Sequence, residues 1–198
     1  MKLRHVAILA VVALSLAACG RRRPAAPTPT PNADSIAAAE AAARARADSI
    51  RLAEEAARQA AEAERARALG IERARAALTD IVFFDFDSDA LSAEAQDRLR
   101  LKAAILSANP VLQLRVEGHA DERGSTEYNL ALGQRRAESV RTFLTGYGIA
   151  GERIGTLSYG EERPRAQGSG EEAWSQNRRA EFVPTEGEIT TVPPEVQQ

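Results

Sequence analysis

Every aromatic side chain of this chain, five Phe, three Tyr and one Trp, falls between Phe83 and Phe182. Seven of the nine prolines lie outside that stretch. A sizeable apolar core therefore has one place to form, and the flanking sequence must serve as address, tether or spacer. Averages conceal this segregation: over 198 residues, 44% hydrophobic and 27% charged is close to a soluble globular norm, which excludes wholesale disorder and a multi-span membrane protein. A net charge of -2 and a pI near 5.8 leave no basic excess to point to nucleic acid. The single cysteine, Cys19, excludes an intramolecular disulfide and a cysteine-based zinc site.

The N-terminal segment reads as an export signal. Lys2 and Arg4 precede an apolar run from Val6 to Ala18, short for a membrane span but suited to a signal core. It ends in Leu16-Ala17-Ala18-Cys19, which resembles the bacterial lipobox; that resemblance implies cleavage before Cys19 and acylation of the cysteine. The other reading is an ordinary secretory signal with an incidental cysteine. Residues 1–18 are thus assigned to the signal peptide and 19–31 to a lipid anchor and a Pro-rich tether, where Pro24 to Pro31 favours extended polyproline backbone.

Residues 32–78 read as a helical spacer. Ala, Glu and Arg dominate, and Asn32 or Asp34 is placed to cap the helix. Ala33-Asp34-Ser35-Ile36 recurs as Ala47-Asp48-Ser49-Ile50, a repeat of two heptads that puts Ile36 and Ile50 on one stripe. An alanine-rich seam buries little area, so the expectation is a solvated single helix that would reach roughly 55 Å, rather than a coiled coil. Gly70 is expected to break it, with a second short helix over Ile71 to Leu78.

From residue 79 to 185 strands alternate with helices, which implies a two-layer α/β sandwich of βαβαβ type. The apolar and aromatic run Ile81 to Phe86, interrupted only by Asp85, predicts a strand buried on both faces. Ser92 caps a helix carrying Ala95, Leu99, Ala103 and Leu106, and Asn109-Pro110 ends it. Alternation in Leu112, Leu114 and Val116 predicts a half-buried strand. A second helix, about Glu127 to Tyr147, sets Leu130, Ala137, Val140, Leu144 and Tyr147 on its core face. Further strands are expected at Ile154 to Tyr159 and Ala180 to Val183, with a short helix around Glu171 to Gln176. Residues 186–198, polar and proline-bearing, are expected to be a disordered tail.

The densest polar cluster is Glu117-Gly118-His119-Ala120-Asp121-Glu122-Arg123-Gly124, in a turn that feeds the second helix. On that helix Asn129, Leu132 and Arg136 share a stripe through their spacings of three and four. Chemistry alone leaves two readings of Asp121 and Arg136: a receptor for a ligand bearing both charges, or an internal ion pair with a structural job. Asp85, Asp87 and Asp89 mimic the start of a calcium loop, but Ala90 and Gln96 stand where it needs glycine and glutamate. Glu117, His119 and Asp121 lack a second histidine once His5 is removed with the signal, so no metal site is expected. No nucleophile with a histidine base and no phosphate loop is apparent, and Asn177-Arg178-Arg179 alone reads as solvated surface.

The string from Val116 to Val140, with Phe83-Phe84-Asp85-Phe86-Asp87, Ser158 to Pro164 and Asn177 to Ala180, resembles the peptidoglycan-associated lipoproteins within the OmpA-like C-terminal domain family. The resemblance covers about the whole domain. It implies a non-enzymatic outer-membrane lipoprotein, without cofactor, that faces the periplasm and binds the diaminopimelate of the peptidoglycan stem peptide. By position it implies Asp121 for the ligand's ammonium and Arg136 for its carboxylate, with Phe86, Asp87, Asn129 and Leu132 as further contacts and Asn177 to Arg179 as support for the pocket or its rim. It also implies TolB of the Tol system as a protein partner. The alternative is a wall-anchoring adaptor for another envelope machine, in secretion or motility. Gly20 after Cys19, where some bacteria use aspartate for inner-membrane retention, favours the outer membrane.

Overall fold

The structure is a computed structural model and describes residues 32–197. Cys19, the signal and the Pro-rich tether lie outside the described residues. The elements are α1 (Ala33–Thr79), β1 (Val82–Phe83), α2 (Ala93–Ala108), β2 (Gln113–His119), α3 (Thr126–Gly146), a 3-10 turn (Gly151–Arg153), β3 (Ile154–Gly160), α4 (Glu171–Asn177), β4 (Arg179–Glu186) and α5 (Pro194–Gln197). Among the described residues no helix is long and apolar enough to cross a membrane.

The chain divides after Leu52 into two units. In the first, Asn32 is the cap: its Oδ1 accepts from the Ser35 amide at 2.8 Å. Ile36 and Ile50 are 49% and 59% exposed, so the repeat stripe buries nothing there. In the second unit α1 runs straight through Gly70, against the expected break. A Cβ at Gly70 would stand 3.3 Å from Val192 Cγ2, so this glycine serves a close approach rather than a helix end. Ala74 and Leu78 are fully buried, which makes the last turns of α1 part of the core. Buried Lys102 closes that helix by donating to the carbonyls of Ala77, Leu78 and Asp80 at 2.7, 3.0 and 2.6 Å.

The C-terminal segment is likewise ordered, contrary to expectation. Asn109, the residue that ends α2, donates to Thr191 O at 2.9 Å and accepts from the amides of Thr190 and Thr191 at 2.9 and 3.0 Å. This clamp lets Ile189 and Val196 join the core. A polar composition concealed a segment held by a few backbone hydrogen bonds and two apolar anchors.

The sheet has the order β1-β4-β2-β3, with β2 and β3 parallel and β4 antiparallel to β1 and β2. Helices α2 and α3 supply the second layer, so the two-layer α/β reading holds. The first strand is shorter than the apolar run suggested. Only Val82 and Phe83 pair with β4, at the sheet edge, and Phe83 is 41% exposed. The Ser92 cap is present, with its Oγ accepting from the Ala95 amide at 3.1 Å, and Ala95, Leu99, Ala103 and Leu106 are all buried. On α3 the buried face is rotated from the predicted one. It carries Asn129, Leu132, Gly133, Arg136, Ala137, Val140 and Leu144, while Leu130 and Tyr147 are nearly half exposed.

Candidate functional site

The rotation of α3 has a local cause. A Cβ on Gly118 of β2 would stand 1.8 Å from Gly133 O, so strand and helix backbones meet with no side chain between them. That approach sets the stripe Asn129, Leu132, Arg136 beneath the turn after β2. On the opposite side the chain leaves β1 through Phe86 and Asp87, which reverses direction at a φ of 51°, a conformation aspartate tolerates better than most residues. Phe86, Asp87, Asp121, Asn129, Leu132 and Arg136, the six residues singled out in the sequence, line one cavity of about 190 Å³. Arg123, Gly124 and Tyr128 complete its wall.

Arg136 is fully buried. Its Nε donates to Ser88 O at 2.8 Å, Nη1 to His119 O at 2.7 Å and Nη2 to Asp85 O at 3.0 Å. Three of the five guanidinium donors are thus held by neutral carbonyls, and two remain for a ligand. Burial pushes its pKa down to about 10, opposed by Asp121, and it stays a cation at neutral pH. The internal Asp121–Arg136 ion pair, one of the two readings open in the sequence, does not form among the described residues. Asp121, 4% exposed, instead pairs with Arg123 at 2.6 Å and with Arg178 at 3.3 Å. Burial alone would raise its carboxyl pKa. The hydrogen bonds from Arg123 and Arg178 outweigh burial and hold it below the usual carboxylate value.

The remaining side chains are fixed partly from outside the cavity and partly by one another. Asn129 Nδ2 donates to Glu161 Oε2 at 2.5 Å, and the Tyr128 hydroxyl donates to Asp87. Arg178 is anchored by Phe84 O at 3.0 Å and Glu171 at 2.5 Å. Asn177, Arg178 and Arg179 are all buried, so this triplet is not solvated surface; of the three, Arg178 reaches the cavity, through Asp121. Phe86 is 56% exposed and stacks on the Arg123 guanidinium at 3.9 Å, so it caps the cavity more than it walls it.

A family model described as "OmpA family" matches residues 83–178, the segment that builds β1 through α4 and the whole cavity. Residues 83–178 form an OmpA-family domain. Two curated relatives are named peptidoglycan-associated lipoprotein. That of Brucella melitensis is 52% identical over 104 residues, covering 52% of this chain and 62% of its own. That of Haemophilus influenzae is 48% identical over 99 residues, covering 50% and 65%. The chain thus spans a little under two thirds of the length of these relatives. The crystal structure of the peptidoglycan-associated lipoprotein from Burkholderia pseudomallei is 43% identical with a TM-score of 0.52, covering 53% of this chain and 89% of that one.

Within the OmpA-family domain the trio Glu117, His119, Asp121 does not assemble, because Asp121 turns to its arginines. Glu117, His119 and Glu181 bring ligand atoms within 4.8 Å of one another on the sheet face away from α3. Each carboxylate there is answered by a guanidinium, Arg115 on Glu117 and Arg179 on Glu181, both at 2.6 Å. His119 is 1% exposed with neither ring nitrogen hydrogen-bonded. Burial, then the nearby Arg179, pushes its pKa down to about 4.

Sequence reasoning gave no site role to Arg123, Gly124 or Tyr128, though the first two stand in the polar cluster it singled out. Arg123 sits two residues from Asp121 inside the polar turn, and that proximity was the available signal.

Proposed function

We propose that this protein binds peptidoglycan non-covalently, with the diaminopimelate of the stem peptide seated in the cavity. The ligand's side-chain terminus carries an ammonium and a carboxylate, and the cavity carries an acid and a buried guanidinium with two donors to spare. Asp121 takes the ammonium and Arg136 the carboxylate, in the two-pronged geometry a planar guanidinium favours. Asn129, Asp87, Phe86 and Leu132 shape the surroundings. The observation that carries this reading is the buried Arg136 with no carboxylate partner among the described residues: a cation maintained by neutral carbonyls is ready for an anion from outside. The relatives' name supports the same reading.

The wider role follows from the sequence. A lipid on Cys19 would hold the protein in the outer membrane, facing the periplasm, and the domain would tie that membrane to the wall. TolB, within a Tol-Pal system supporting envelope integrity and division, is the proposed protein partner; a different envelope machine is the second reading. Sedimentation of the purified protein with isolated sacculi tests the central step. Co-sedimentation, reversed by free meso-diaminopimelate, is expected. Protein left in the supernatant would refute the binding, and released muropeptides would make it an enzyme. Pull-down from envelope extracts that lacks TolB would favour the second machine.

A further inference from the structure

The cavity's acidic pole is already occupied. Asp121 Oδ1 accepts from the Arg123 amide and from Arg123 Nε, both at 3.1 Å. Its Oδ2 accepts from Arg123 Nη2 at 2.6 Å and from Arg178 Nη1 at 3.3 Å. A carboxylate offers about four acceptor positions, so two donors on each oxygen leave no place for an ammonium. One donor must leave before a cationic ligand can enter.

The structure shows which donor is free to go. The Arg123 amide is fixed by the backbone. The Arg178 side chain is 7% exposed and held by Phe84 O and Glu171. The Arg123 side chain is 29% exposed. Its guanidinium lies between two aromatic rings, 3.9 Å from the Phe86 centroid and 4.1 Å from that of Trp174. Trp174 is itself pinned by donating from Nε1 to Glu122 at 3.0 Å. A second acid, Glu171, which is not part of the cavity lining, has its Oε2 3.9 Å from Arg123 Nη2. The guanidinium therefore has a slot in which to move and a carboxylate to receive it.

We propose that Arg123 is a resident occupant of the ammonium subsite, a latch that the ligand's ammonium displaces toward Glu171 on binding. This rests on the reading of Asp121 as the ammonium receptor. One cation replaces another at Asp121 while Arg178 stays in place, so the acid is never left bare, and a ligand without a cationic group cannot open the site. Ligand selection would then lie in displacement as well as in contact. The cost is affinity, because only the fraction of molecules with Arg123 swung away is competent to bind.

The test measures affinity for sacculi and for free meso-diaminopimelate in wild type and in Arg123→Gln, which keeps most of the length and removes the charge. If the open state is populated at about 10% or less, Arg123→Gln should bind roughly tenfold tighter or better. Trp174, the only tryptophan, reports the same event: its emission should change when ligand enters wild type and stay nearly constant in Arg123→Gln. Trp174→Leu, which keeps the arginine and opens the slot, should also tighten binding, and it serves if Arg123→Gln folds poorly. Weaker or unchanged binding by these variants beside a wild type that binds would overturn the latch alone, and weaker binding would make Arg123 a ligand contact. A wild type and variants that all fail to bind would overturn the proposed function with it.

Discussion

The two poles of the cavity solve the problem of a buried charge in opposite ways. Arg136 keeps its charge uncancelled and is held by the carbonyls of Asp85, Ser88 and His119. Asp121 has its charge fully answered, by Arg123 and Arg178. A guanidinium can be solvated by neutral dipoles at several donors, whereas a carboxylate this deep is most readily held by cations. The difference teaches that the positive pole is a standing socket and the negative pole a guarded one. Mutations should separate them, one through stability and the other through ligand selection.

The largest effect is expected at the socket. Arg136→Ala strands three carbonyls, and at roughly 1 kcal/mol each even after water enters, about 3 kcal/mol of stability is lost. Denaturant unfolding measures it, and sacculus binding should vanish in the same sample. Arg136→Lys retains the charge and recovers part of the stability, but not the two-pronged contact, so binding stays weak. A fully stable Arg136→Ala would break the comparison, since the carbonyls would then need no donor.

Asp121→Ala should unfold more easily by a smaller margin, about 1–2 kcal/mol, because Arg178 keeps Phe84 O and Glu171. Its binding loss should exceed its stability loss. Truncating one partner of a buried charge contact costs roughly 2–5 kcal/mol, or more than tenfold in affinity. The wild-type carboxyl, held below its usual value, contributes stability that is present above about pH 4 and lost as pH falls through the lowered pKa.

The smallest effect on binding concerns His119, whose carbonyl serves Arg136 while its ring lies outside the cavity among Arg163, Arg179, Glu117, Glu181 and Tyr159. Its pKa falls from 6.5 to about 4 on folding, chiefly through burial. Between those values the unfolded chain holds a proton the native one does not, so stability falls as pH drops from 6.5 to 4, by roughly 3 kcal/mol at most. In His119→Gln that slope should flatten, while Arg136 keeps its backbone carbonyl partner. An unchanged slope would assign acid sensitivity to the carboxylates instead.

Much of this was legible in the sequence, and the exceptions share a cause. Local pattern located α2, β2, β3 and the Ser92 cap and narrowed the α1 cap to Asn32 or Asp34, because those elements are decided by near neighbours. The stripe Asn129, Leu132, Arg136 and the turn at Asp121 gave the cavity. What failed depended on distant partners. Gly70 looked like a break because Val192 lies far along the chain. The tail looked disordered because Asn109, which clamps it, ends α2. Leu130 looked buried because the Gly118–Gly133 approach, which rotates α3, leaves no signal in either segment alone. Arg178 looked solvated on local pattern alone, because nothing near it in sequence announced Asp121, and only the family resemblance pointed to it as support for the pocket.

The most direct measurement is the structure of this protein bound to meso-diaminopimelate. The account predicts the ligand's carboxylate on the two remaining donors of Arg136 and its ammonium on Asp121, with Arg123 turned toward Glu171. A ligand whose carboxylate rests on Arg123 while the Asp121–Arg123 pair stays closed, or one bound outside this cavity, would contradict it.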